Sequence, residues 1–129
     1  MKSKADKSKN EILLFLNKNN FNTKYFETKD FVPICLCPIK LNEENSKNVC
    51  YIIVGGHESQ NKKGKLILLR LTFNGVSEIC DIVENGFSYF ESSIVCLAFI
   101  KEKQEIIFAS SDNIISKQNV QSYMNNNII

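Results

Sequence analysis

No apolar run in this sequence approaches the roughly 20 residues that a membrane-spanning helix needs, and the first ten residues, M-K-S-K-A-D-K-S-K-N, contain no hydrophobic region that would serve as a secretion signal. The expected setting is therefore soluble and intracellular, cytoplasm or nucleus. An excess of charge is also missing: 16 basic against 14 acidic residues leaves a net +2, too little to drive nucleic-acid or membrane binding. There is no tryptophan, and together with Asn19-Asn20, Asn125 to Asn127 and a bias toward Lys and Ile this suggests a genome rich in A and T. A phosphate loop is absent, because Gly55-Gly56 and Asn61-Lys62-Lys63-Gly64-Lys65 lack the Ser or Thr and the following helix that the loop requires. The cysteines, Cys35, Cys37, Cys50, Cys80 and Cys96, are odd in number and sit in or beside apolar runs. They are expected to be reduced, buried thiols that pack as small hydrophobes, which excludes a disulfide framework.

What is present is ordinary for a folded domain: 43% hydrophobic and 23% charged residues in 129, enough chain for one core. The stretch from Cys50 to Leu71 organises the reading. Tyr51 to Val54 and Leu66 to Leu71 are apolar runs bounded by Gly55-Gly56 and Gly64, which predicts a hairpin with the glycines as turn formers. Both runs are nearly continuous in apolar residues, the pattern of strands covered on both faces.

The chain also repeats itself. At an offset of about 55 residues, Ile12 falls on Ile67, Leu13 on Leu68, Leu14 on Leu69, Leu16 on Leu71 and Asn19 on Asn74, and Ile52 to Gly56 falls on Ile107 to Ser111. Pro33 to Ile39 matches Ile94 to Ile100 at an offset about six residues greater, a difference that loops absorb. One unit then contains four strands, Pro33 to Ile39, Cys50 to Gly55, Lys65 to Thr72 and Val76 to Val83, the last mixed with charge as an outer edge should be. The next unit holds Ser93 to Ile100, Glu105 to Ala109 and a weak Asn113 to Ser116. Glu11 to Leu16 and Lys24 to Thr28 would end a preceding unit. The fold class is all-β: antiparallel four-stranded blades of a β-propeller, about two present. Residues 1–10 read as a flexible basic tail. Residues 11–117 read as blades, with 11–32 ending one, 33–84 forming one and 93–117 starting the next, and 118–129 read as an Asn-rich tail.

The unit S-S-I-V-C-L-A-F-I-K-E-K-Q-E-I-I-F-A-S-S-D-N-I-I, Ser92 to Ile115, resembles the first half of a WD40 repeat, with Asp112 where that family places a structural turn aspartate. Gly64 to Leu71 looks like the family's third strand. Tyr51 to Leu71 also resembles blades of the scaffold propellers of cleavage-and-polyadenylation and DNA-damage-binding factors. The resemblance implies a WD-repeat scaffold that holds other macromolecules, with no catalytic residues, no metal and no cofactor. A propeller typically needs at least four blades; here there are about two. Open edges would be completed by missing segments or by another chain.

Chemistry-bearing residues are few. Cys35, Cys37, Cys50 and His57 could be assembled into a metal site, the basis of a rival reading as a small metal-binding protein or enzyme. The spacing C-x-C departs from the C-x₂₋₄-C of zinc sites, and on a strand both thiols point to one face. His57 with Glu58 and Ser59 lacks a visible orienting group for general-base work. Phe87, Tyr89 and Phe90, in an expected loop from Gly86 to Ser92, are candidate anchors for a partner. Lys40 to Asn48 and His57 to Gly64 are the other candidate contact loops. The expected function is a protein–protein interaction scaffold within a larger complex, with a nucleic-acid-processing scaffold as the alternative and nucleic acid reached only indirectly.

Overall fold

The computed structural model describes residues 26–42, 48–74 and 78–124. The expected strand at Glu11 to Leu16 and the basic tail lie outside them; of Lys24 to Thr28, the described residues 26–28 carry no strand. The chain is all-β. A four-stranded antiparallel sheet runs β1 (Phe31–Ile39), β2 (Val49–Glu58), β3 (Gly64–Asn74) and β4 (Glu78–Phe90) in sequence order. A three-stranded antiparallel sheet follows with β5 (Ile94–Ile100), β6 (Glu105–Ser110) and β7 (Ile115–Asn119), also in order, and then a single helical turn α1 (Gln121–Met124). The two sheets are propeller-like blades that do not close into a ring. Their first strands, β1 and β5, lie side by side.

The continuous apolar runs of β2 and β3 place side chains on both faces of the first sheet. On the face toward the second sheet, the junction face, are Ile39, Tyr51, Ile53, Leu66 and Leu68, which form one core with Ile94, Ile106, Phe108, Val120 and Tyr123. Ile53, Leu66, Leu68, Ile94 and Ile106 are fully buried, each contributing about 1.5–3 kcal/mol relative to exposure. On the opposite, far face, Phe31, Val54 and Ile67 form a second cluster with Ile52, Leu69 and Phe87 against it.

Several boundaries depart from the sequence reading. Gly55 and Gly56 lie inside β2, paired to Cys35 and Pro33, where β1 carries a bulge between Pro33 and Cys35. They are required by close approach: a Cβ on Gly56 would collide with the Val32 carbonyl oxygen, and one on Gly55 would lie 2.8 Å from Ile94 Cγ2. The expected loop from Gly86 to Ser92 is mostly strand. β4 continues to Phe90, and Gly86 to Phe90 pair with Leu68 to Gly64. The polar punctuation of Asn85, Gly86 and Ser88 hides an alternation that tertiary pairing uses. Gln118 to Met124 also depart from the expected tail, because Val120 and Tyr123 are fully buried in the core.

The bulges fix the repeat precisely enough to correct its register. β5 bulges between Ile94 and Cys96, where Ile94 pairs with Ser110 and Cys96 with Ala109. Cys35 therefore corresponds to Cys96 and Ile39 to Ile100, as the sequence offset has it, but Gly55 corresponds to Ala109 and Ile53 to Ile107. The alignment of Ile52 with Ile107 is one residue out. In a strand, a slip of one residue exchanges the two faces, and a continuous apolar run gives no alternation to detect it. In the third strands, Leu66 corresponds to Ile115 and Leu68 to Lys117.

Candidate interaction surface

The two sheets are pinned at three points. At one end, His57 Nδ1 and Ser93 Oγ are 2.8 Å apart, joining β2 to the residue before β5, and the Ser111 N–H donates to the Ser93 carbonyl at 2.9 Å. Asp112 lies exposed in the turn between β6 and β7, where the hydroxyls of Ser110 and Ser92 donate to it; chiefly the Ser110 bond holds its carboxyl below the usual range. At the other end Gln104, in the turn between β5 and β6, donates from Nε2 to the carbonyls of Lys40 at 3.1 Å and Lys101 at 2.8 Å, and its Oε1 accepts from the Asn42 N–H at 3.2 Å. Its carbonyl accepts from the Val120 N–H at 3.0 Å. Between them Tyr123 Oη meets Ser88 Oγ and Gln118 Oε1, both at 2.5 Å, and the extra residue of a β4 bulge, Asn85, donates to the Tyr123 carbonyl at 3.3 Å. Burial, opposed by the Ser88 bond, pushes the Tyr123 hydroxyl up to about 12.

The candidate metal ligands are not gathered. Cys35, Cys37 and His57 lie on the junction face, whereas Cys50 alternates to the far face of β2. Among the described residues no three His, Cys, Asp or Glu side chains are placed to hold a metal ion. Cys35 Sγ points between the carbonyls of Gly55 and Ile94, at 3.7 and 3.8 Å. Burial raises the thiols of both Cys35 and Cys37. Cys96 departs from the expectation of buried thiols: it is exposed.

The candidate aromatics divide by strand alternation. Phe90 turns to the junction face and packs on Phe108 with ring centroids 4.8 Å apart. Phe87 and Tyr89 turn to the far face, edge to face at 5.3 Å, with Lys65 Nζ 4.7 Å and 5.2 Å from their ring centres. Partial burial and a hydrogen bond to Glu58 raise the Tyr89 phenol. Beside them a cleft of about 200 Å³ is bounded by Phe26, Lys29, Phe31, Lys65, Ile67 and Glu84. Of the candidate contact loops, Ser59 to Lys63 is a fully exposed turn closed by the Glu58 N–H to the Lys63 carbonyl at 2.8 Å, and residues 43–47 lie outside the described part.

A surface that the sequence reading missed is the open face of the second sheet. Leu97 and Phe99 point into the junction with Ile106 and Phe108, so Cys96, Ala98, Ile107, Ala109, Ile115 and Lys117 point away from it. Cys96 and Ala98 are exposed and Ile115 is 77% exposed, while its counterpart Leu66 in the first sheet is fully buried. Lys117 Nζ lies 3.4 Å from Glu105 at the edge of this face. The apolar positions of the covered face in the first sheet thus recur uncovered in the second, except that Lys117 stands in the place of Leu68. Among the described residues no helix is long and apolar enough to cross a membrane. No protein-family model, no curated protein and no solved structure matches the chain.

Proposed function

We propose that this chain is a non-catalytic protein–protein interaction scaffold of the WD40-like propeller kind, working as part of a larger complex. One observation carries the reading. The open face of the second sheet repeats much of the face by which the first sheet is buried, with Ile115 in the place of Leu66 and Lys117 departing from Leu68. Cys96, Ala98, Ile107 and Ala109 stand where Cys35, Cys37, Ile53 and Gly55 stand. An apolar sheet face of this kind is stable when another element covers it. Its chemistry suits a protein partner over a nucleic acid, since Lys117, its one basic residue among those named, is already beside Glu105. The pinned junction supplies rigidity, and Phe87, Tyr89 and the cleft beside them offer a second contact region.

The test is copurification from the native source with wild-type chain and with Ile115→Arg, a change at an exposed position that leaves the core intact. Proteins retained by the wild type and lost by the variant are the expected result. Equal retention by both, or retention of nothing by either, contradicts the reading.

A further inference from the structure

We infer that the open face of the second sheet is covered by a second copy of this chain, which lays the far side of its β1 there, so that copies associate head to tail. The inference rests on the scaffold reading and names one partner within it. The contact it requires already exists once, inside the chain. At the junction the close approach to the first sheet is made by β5, which lies against β1 and reaches β2 and β3, with Leu97 and Phe99 packed on the shared core. The bulge registers make Leu36 the counterpart of Leu97 and Pro38 the counterpart of Phe99; both lie on the far face, across from Val54 and Ile52. The far side of β1 is thus the repeat's copy of the surface that covers the junction face. The open face of the second sheet is the repeat's copy of the junction face itself.

Both copies are accessible where the contact would need them. On β1, Leu36 is 63% exposed and Pro33 and Pro38 are exposed, whereas Val54 and Ile67 farther out are buried with Phe31. The side-chain volumes also agree. A Cβ on Gly55 would lie 2.8 Å from Ile94 Cγ2 inside the chain. Repeated between copies, the same point sets Ala109 against Pro33, the counterpart of Ile94, so the added methyl group meets a ring without the isoleucine branch. Lys117, in the place of Leu68, departs from the pattern and stays at the margin beside Glu105.

A surface and its complement on different sheets of one chain make a heterologous contact, which grows past a dimer into a ring or a filament. One sheet face is a small interface, so the dilute chain is monomeric, and copies meet at high concentration or where an assembly holds them together.

The experiment measures the mass of the purified full chain by sedimentation equilibrium from about 1 µM to about 1 mM. It is run on the wild type, on Ile115→Arg, on Leu36→Arg and on an equimolar mixture of the two variants, both changed at exposed positions. The expected result is a wild-type mass that rises past a dimer, while each variant alone stays monomeric. The mixture should form a dimer and nothing larger, because the Leu36→Arg chain keeps its open face and the Ile115→Arg chain keeps its β1 surface. A wild type monomeric at every concentration, as when residues 1–25 or an unlike protein occupy the face, overturns the inference. So does a dimer that Leu36→Arg leaves intact, which would mean that two open faces pair with each other, and so does a mixture that stays monomeric. The copurification test is read on unlike proteins, so failure here leaves the scaffold reading standing.

Discussion

Gln104 reaches across the junction to the main chain of the other sheet, its Nε2 donating to the Lys40 carbonyl at 3.1 Å while its own backbone sits at φ 53°. A glutamine in the left-handed region is strained by about 1 kcal/mol. The strain is tolerated because the residue, buried to 8% exposure, ties the ends of β1, β5 and β7 together, its side chain bonding Lys40, Asn42 and Lys101 and its carbonyl accepting from the Val120 N–H. Gln104→Ala is expected to destabilise the chain by about 1–2 kcal/mol, because the Lys40 carbonyl and the Asn42 N–H lose a partly buried partner while the Lys101 carbonyl keeps the Gln104 N–H. Gln104→Gly should lose about 1 kcal/mol less, because the backbone strain is relieved. Denaturant unfolding of the two variants checks the order.

Gly56 faces the Val32 backbone and Gly55 faces the Ile94 side chain. A backbone carbonyl held in a bulged sheet cannot move aside without breaking pairing, whereas a methyl group yields by a small repacking. Gly55→Ala is therefore expected to cost about 1–3 kcal/mol and Gly56→Ala more than that, measured as loss of stability in urea. Ala109, at the position of Gly55 in the second sheet, meets no such neighbour because its face is open.

Tyr123 makes the fold sensitive to alkali. Its hydroxyl ionises at about 12 in the folded chain against the ordinary 10. Between these values the unfolded chain has released the proton and the folded chain has kept it. Stability is complete below pH 10 and falls as the pH rises to 12, by roughly 2–3 kcal/mol in all. Tyr123→Phe should remove that part of the slope, and at neutral pH should cost about 1–2 kcal/mol, because Ser88 and Gln118 lose their short bonds to the phenol and keep only their own contact at 3.5 Å. Stability curves from pH 8 to 12 for both proteins show it.

Much of the fold is legible in the sequence because apolar runs and their order survive in it. The strands near Pro33 to Ile39, Ser93 to Ile100 and Glu105 to Ala109 are readable to within one or two residues. Illegible are features created by pairing between distant segments. Gly55 and Gly56 read as a turn because a glycine forced by close approach has the same letter as one forced by a turn. The last five residues of β4 read as a loop because Asn85, Gly86 and Ser88 outweigh the alternation of Phe87, Tyr89 and Phe90. The one-residue error in aligning Ile52 hides the open face altogether, since it assigns Ile107 to the wrong side. Val120 and Tyr123 sit in a polar, Asn-rich stretch, and two apolar residues there have no period to announce them.

The cysteines report on both faces. Burial raises Cys35 and Cys37, which depletes their reactive thiolates, while Cys96 stands exposed on the open face. In the isolated chain near neutral pH, Cys96 should be alkylated about tenfold or more faster than Cys35. Timed labelling followed by peptide mass spectrometry gives the three rates.

The same labelling, carried out on the chain in its native assembly and on the isolated chain side by side, tests most directly whether the open face of the second sheet is covered by a partner. Cys96 is predicted to be alkylated about tenfold or more slowly in the assembly, with Ile115→Arg restoring the fast rate. An equal Cys96 rate in the two samples, at the concentration the chain has in its source, would contradict the account.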